Sequence, residues 1–167
     1  MSWAGAGSAQ AGLADSIFAA MIATTMSDVP AAEKPRVLAA HDDVGTLRLI
    51  REALGNFAVC DVDTSPSAEY AFELGLQRDY KLFLFGLHLP VLHGELLYEL
   101  LSKAYPYCHE GKKVAPAVIY IGDESTVPRL HELKRDARVK DVVLKPLGIA
   151  RLLESVGGLI EMREDAV

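Results

Sequence analysis

Four short stretches carry the polar residues able to do chemistry: His41-Asp42-Asp43, Gly86-Leu87-His88, Ile121-Gly122-Asp123 and Lys145-Pro146. Each directly follows an apolar run. Imidazoles beside carboxylates can bind a transition metal. His41, His88, Asp42 and Asp43 would form such a set if their runs are neighbours, although no local spacing signature accompanies them. His93, His109 and His131 have no ligand-like spacing. Asp61 and Asp63 alternate around Val62 and read as edge or end residues of a strand. The Gly-x-Ser-x-Gly turn of a Ser-His-Asp hydrolase is missing. Neither the dinucleotide-binding nor the P-loop glycine pattern follows any apolar run. Pro146 fixes a turn, since the residue before proline avoids the α region. Lys145 has two readings. It could pair with Asp42 and keep two polar groups satisfied, or it could supply the cation of a small anion pocket.

Alternating strands and helices must position these stretches. Arg36–Ala40 reads as a short strand and Val44–Asn56 as a helix with Leu47, Leu49, Ile50, Ala53 and Leu54 on its apolar stripe, stopping at Gly55. Ala58–Asp63 is the second strand. Ser65 as N-cap and Pro66 at the first helical position open a helix to about Gln77. Leu82–Phe85 is the third strand. Glu95–Ala104 is a helix carrying Leu96, Leu97, Leu100 and Leu101, with a polar loop over Tyr105–Lys113 after it. Ala117–Ile121, Glu124–Asp136, Val139–Leu144 and Ile149–Met162 complete the series as strand, helix, strand and helix. The third and fourth strands are continuous apolar runs, as expected when helices cover both sheet faces. The pattern predicts an α/β fold, a (βα)5 doubly wound parallel sheet. Ligand chemistry in such sheets sits at the carboxyl ends of the strands, where the four polar stretches fall.

The chain has 167 residues, half of them apolar and a quarter charged, enough for one ordinary domain with some residues to spare. A net charge of −6 gives no general attraction for nucleic-acid phosphates. Cys60 and Cys108 lie far apart without metal-type spacing and read as free thiols in a reducing compartment. The chain divides at Pro30–Pro35. Residues 1–34 form an N-terminal extension, flexible over 1–12 by composition. Residues 13–26 have helical spacing, as a helix folded onto the domain, a frayed tail, or an amphipathic docking segment for a partner or a second copy. The apolar run Leu13–Met26 is too short to span a bilayer, contains Asp15, and has no basic residue before Lys34. The expectation is a cytoplasmic protein with a domain over 35–162 and a tail over 163–167.

The stretch from Lys81 to Gly94 resembles the phosphorylation strand of response-regulator receiver domains. In that family an aspartate ends the third strand, with proline four and glycine eight residues later. Here Pro90 and Gly94 stand in those places and Gly86 occupies the aspartate position. The resemblance runs from Arg36 to Val156 and implies the flavodoxin-like receiver fold. Active members place an acidic pair after strand 1, Ser or Thr after strand 4, Lys-Pro after strand 5, and a switch aromatic three residues before that lysine. The carboxylates hold Mg²⁺, the central aspartate attacks a phosphoryl group, and the hydroxyl and lysine hold its oxygens. This chain has His41 at the first acidic position, Asp42 at the second, Ile121 for the hydroxyl residue and Val142 for the aromatic. Lys145 and Pro146 remain. Nucleophile, metal site and readout are altered together, giving a degenerate phosphorylation site of His41, Asp42, Gly86, Ile121 and Lys145.

By the same resemblance, the signalling face comprises helix 4, strand 5 and helix 5. It includes Val127, Arg129, Leu130, Leu133, Lys134, Val139, Lys140, Asp141, Val142, Arg151, Leu152 and Glu154. Mixed charge there suits an ion-paired interface or an ordinary solvated surface. The third helix and the Tyr105–Lys113 loop form a second candidate contact surface, or else cap the sheet. The expected function is a stand-alone pseudo-receiver: a phosphorylation-independent signalling or scaffolding module of bacterial two-component type. It would act through protein partners, including a second copy through that face. No enzyme activity, cofactor, direct nucleic-acid contact or membrane span is expected. The alternative is a small-ligand or metal-sensing receiver variant using the altered pocket.

Overall fold

The computed structural model describes residues 33–166. The flexible stretch expected over 1–12 and the helix expected over 13–26 lie outside the described residues. Five parallel strands form one sheet in the order β2-β1-β3-β4-β5. They are β1 (Arg36–Ala40), β2 (Asp61–Ser65), β3 (Leu82–Gly86), β4 (Ala117–Gly122) and β5 (Val139–Leu144). The helices are α1 (Val44–Phe57), α2 (Ala68–Gln77), α3 (Gly94–Cys108), α4 (Leu130–Lys134) and α5 (Ile149–Val156). This is the expected (βα)5 doubly wound arrangement, with β1 and β3 as the neighbours at the order reversal.

Strand alternation divides the core into two layers. Val37, Ala39, Leu82, Leu84, Ile119, Ile121 and Val143 pack on one face with Leu47, Ile50 and Leu54 of α1 and Leu152 and Val156 of α5. Leu38, Ala40, Phe83, Phe85, Val118, Tyr120 and Val142 pack on the other with α2, α3 and Leu133 of α4. All five residues of β3 are buried, as a central strand covered on both faces requires.

The local boundaries differ from the sequence expectation in five places, each with a physical cause. The second strand begins at Asp61 instead of Ala58, because the chain's end takes the residues before it. Val59 N–H donates to Glu161 O at 2.8 Å, and Ala58 bridges to Met162 in antiparallel fashion. That shift makes Ser65 the last residue of β2, so the cap of α2 moves to Ser67, whose hydroxyl accepts from Tyr70 N–H. α3 runs through Tyr105 and Pro106 to Cys108. Tyr105 is buried, and its hydroxyl accepts from Tyr80 N–H at 2.9 Å and donates to Asp79. That anchor holds the last turn against the missing donor of Pro106. The fourth helix is only five residues long. A 3₁₀ turn over Glu124–Arg129, started by an Asp123–Thr126 capping box and containing Pro128, takes its first half. α5 stops at Val156 rather than Met162, where Gly157 and Gly158 turn the chain so that Ile160 enters the core. The expected tail is tied back as well: Arg163 N–H donates to Phe57 O at 2.9 Å.

The Tyr105 anchor gives a direct test. Tyr105→Phe removes the acceptor of a buried backbone N–H and a donor to Asp79. Urea denaturation is expected to show a loss of about 1–3 kcal/mol.

Candidate functional site

The carboxyl ends of β1, β3, β4 and β5 bring together His41, Gly86, Ile121 and Lys145, as the register dictates. Ala40 pairs with Phe85, and Gly86 pairs with Ile121. Leu87 N–H continues the ladder to Ile121 O at 2.9 Å, and Lys145 N–H reaches Gly122 O at 2.8 Å.

His41 is the centre of this site, and it is only 4 % exposed. A loop histidine at a strand end is ordinarily solvated, and this one is not. Its ring lies against Gly86. A Cβ built on Gly86 would sit 2.8 Å from His41 Cδ2, 3.3 Å from Nε2 and 3.4 Å from Cγ. The imidazole therefore fills the space that a side chain at position 86 would occupy. Gly94 has a different reason. A Cβ there would lie 2.2 Å from Gly86 O, so only glycine lets the start of α3 close on the end of β3.

The hydrogen bonds set the protonation of His41. Nδ1 accepts from Asp43 N–H at 2.9 Å, so the proton of the neutral ring is on Nε2. Asp42 Oδ1 also approaches Nδ1 at 3.2 Å, a contact that becomes an ion pair only on protonation. Such protonation would break the bond from Asp43 N–H. Burial pushes the His41 pKa down, and the Lys145 charge adds to this against the opposing pull of Asp42 and Asp43. The ring is neutral near pH 7.

Asp43 is occupied as the N-cap of α1. Its carboxylate accepts from Gly45 N–H at 3.2 Å, Thr46 N–H at 3.1 Å and Thr46 Oγ1 at 2.6 Å. The Thr46 bonds hold its pKa below the usual carboxylate range. Asp42 faces solvent, half exposed. The expected Lys145–Asp42 ion pair does not form; among the described residues Lys145 has no carboxylate partner. Ile121 and Val142 are both buried, on opposite faces of the sheet.

His41, His88, Asp42 and Asp43 do not converge as one ligand set. His88 turns to the other side of the loop, where Nε2 lies 3.2 Å from Ser125 Oγ and 3.5 Å from Asp123 Oδ1. Among the described residues no three His, Cys, Asp or Glu side chains are placed to share a metal ion. The proximity of Ser125, which comes from the 3₁₀ turn, had no signal in the sequence.

The expected signalling face is partly buried. Leu133, Val142 and Leu152 belong to the core and are not available to a partner as surface residues. Most of its charges are engaged within the chain, and Lys140 has no carboxylate partner among the described residues. Arg151 Nη1 lies 2.7 Å from Asp141 Oδ2, and Arg129 grips Glu95 with bonds of 2.8 and 3.0 Å. Burial raises the Asp141 pKa, but Arg151, Ser155 and Val142 N–H together hold it below the usual range. Tyr105 of the second expected surface is also core, while Tyr107 is exposed.

No family model matches the chain, and no curated protein matches it. Solved structures do match in fold. The response regulator receiver domain protein from Clostridium thermocellum superposes with a TM-score of 0.62 at 15 % identity, over 75 % of this chain and 93 % of its own. The chemotaxis response regulator CheY4 of Vibrio cholerae gives 0.61 at 16 %, over 75 % and 98 %. The Francisella response regulator 1452 receiver domain gives 0.61 at 22 %, over 75 % and 95 %. At these identities the likeness is one of fold.

Two predictions follow from the His41–Gly86 contact. Gly86→Ala must displace the ring and is expected to cost about 1–3 kcal/mol in urea denaturation. Combined with His41→Ala, it should cost less than the sum of the two single changes, by about 1 kcal/mol. The second concerns pH. His41 has a lowered native pKa, so below its ordinary value of about 6.5 the unfolded chain binds the proton more readily. Stability should therefore fall as pH drops from about 7 to 5, and His41→Gln should flatten that slope in thermal melts across this range.

Proposed function

We propose that this chain is a receiver-type signalling module that works through protein–protein contact without phosphorylation of its strand-end site. The observation that carries the reading is the His41 ring standing where the side chain of residue 86 would be. Position 86 has no nucleophile, and the space for one is already filled. The residues that remain of the site serve local structure. Asp43 caps α1, and His41 Nδ1 takes the Asp43 N–H. Imidazole is a poor replacement for a Mg²⁺ carboxylate ligand. Ile121 has no hydroxyl for a phosphoryl oxygen.

Partner contact would use Lys140 directly, and Arg129 and Arg151 by sharing or exchanging their present pairs with Glu95 and Asp141. Leu133 and Val142 would act from below by holding β5 and α4 in place. A cytoplasmic setting fits the free thiols of Cys60 and Cys108. The small-ligand alternative has one supporting feature, a Lys145 with no carboxylate partner among the described residues, but the filled space at position 86 leaves less room for a ligand beside it.

The test is incubation of the full chain with acetyl phosphate and Mg²⁺, followed by intact mass measurement under conditions that preserve acyl phosphates. No phosphoryl adduct is expected. A stoichiometric adduct of one phosphoryl group overturns the reading.

A further inference from the structure

α3 is apolar on two opposite faces. Leu97, Tyr98, Leu101 and Tyr105 point into the core and are at most 2 % exposed. On the far side, Leu96, Leu100 and Tyr107 are 49 %, 39 % and 91 % exposed. With Lys103 they stand at i, i+4, i+7 and i+11. That is the 3.5-residue spacing of a coiled-coil seam, and it runs the length of the helix. The paired leucines at 96–97 and 100–101 supply one residue to each face. An exposed helix face ordinarily carries charged and polar residues, so this second stripe asks for a cover.

We propose that the stripe is the interface of a homodimer in which α3 packs antiparallel against α3 of a second copy. The charges on the seam decide both the occupant and the direction. Glu99 flanks the first half of the stripe, and Lys103 lies in the second half. Both reach solvent, at 46 % and 74 % of their side chains. A parallel pair would set Lys103 against Lys103 at the centre of the seam. An antiparallel two-fold pair sets Leu96 against Tyr107 and Leu100 against Lys103 of the other copy. The carboxylate of Glu99 then comes alongside that lysine, twice over by symmetry. The stripe is thus self-complementary in one direction only. Within the chain Glu99 and Lys103 make only a long, exposed contact of 3.9 Å, and Glu99 meets Arg138 at 3.4 Å, so Lys103 is free to exchange that weak contact for Glu99 of the other copy. Three turns of helix bury less surface than a permanent dimer needs, so the association is weak and concentration-dependent.

The interface is separate from the strand-end site. Its outcome therefore leaves the acetyl phosphate result standing, and the reverse is also true. Sedimentation velocity of the full chain from low-micromolar to near-millimolar concentration should show a monomer–dimer equilibrium. Leu100→Glu should weaken it by about tenfold or more, with circular dichroism unchanged. Glu99→Lys and Lys103→Glu should each weaken self-association, because each places like charges across the seam. An equimolar mixture of these two variants should restore the dimer, since one copy then carries two lysines and the other two glutamates. A chain that stays monomeric at every concentration overturns the proposal, whether the stripe is left bare or covered by residues 1–32. A dimer that survives Leu100→Glu but is lost in Arg151→Glu overturns it too, and moves the interface to the β5–α5 side. Failure of the mixture to reassociate rejects the antiparallel register.

Discussion

The structure depends on a mutual exclusion between two positions: the His41 ring and any side chain at position 86 cannot occupy the same space. The register of β1 against β3 puts them side by side, and the built Cβ contact of 2.8 Å leaves no slack. Each residue makes sense only with the other. A buried imidazole at the end of β1 needs a neighbour without a side chain. A glycine at the end of a central strand would otherwise leave a gap at the mouth of the sheet, and close packing makes such a gap costly. From this pair the rest of the strand-end chemistry follows. The buried ring is neutral, and its Nδ1 accepts from Asp43 N–H. That bond sets the chain at the start of α1, where the Asp43 carboxylate turns to the helix amides. Of the residues that could have gathered a cation, His41 and Asp43 are used in local hydrogen bonds, and Asp42 faces water.

The frame around Gly86 separates into two parts with different causes. Gly94 is required by geometry: its α-carbon approaches the carbonyl of Gly86 so closely that a Cβ would fall 2.2 Å away. That constraint belongs to how α3 meets β3, and it holds whether or not residue 86 carries a nucleophile. Position 86 itself is set by what fills the space beside it. The glycine at position 94 is therefore a packing requirement that does not depend on the chemistry at position 86. Gly94 speaks to fold, and the pairing of His41 with Gly86 speaks to chemistry.

The fold was largely legible from the sequence, because the strands obey a simple rule: apolar runs of about five residues, separated by helical periodicity. The errors cluster where a long-range contact overrides a local signal. Ala58-Val59-Cys60 reads as strand by propensity, but Ala58 bridges to Met162 and Val59 N–H bonds to Glu161 instead. Pro106 reads as a helix stop, but Tyr105, tied to Tyr80 and Asp79, carries the helix past it. At the site, the glycine at position 86 was visible in the sequence. The burial of His41 was not, since nothing local to it says that its neighbour across the sheet is a glycine. The Lys145–Asp42 pairing failed for the same reason. Asp42 lies beside the imidazole and faces water, a geometry that depends on where the ring sits.

Charge and apolar area give opposite impressions of the surface when they are counted along the sequence. The β5–α5 side carries many charges, yet Asp141 binds Arg151 and Ser155 and accepts from Val142 N–H, with Lys134 at 3.7 Å. Those groups are satisfied within the chain, and a partner would have to repeat or break existing bonds to use them. The Asp141 carboxylate is largely buried, and these bonds keep it satisfied and fix the side chains around it in place. α3 shows the reverse. Its sequence reads as an ordinary hydrophobic helix, and one apolar face would suffice to bury it. Leu96, Leu100 and Tyr107 add nothing to the internal core, so their area is available for association at no cost to the fold. An apolar stripe that the domain does not need for its own packing is a more telling sign of contact than a charged patch that has already paired with itself.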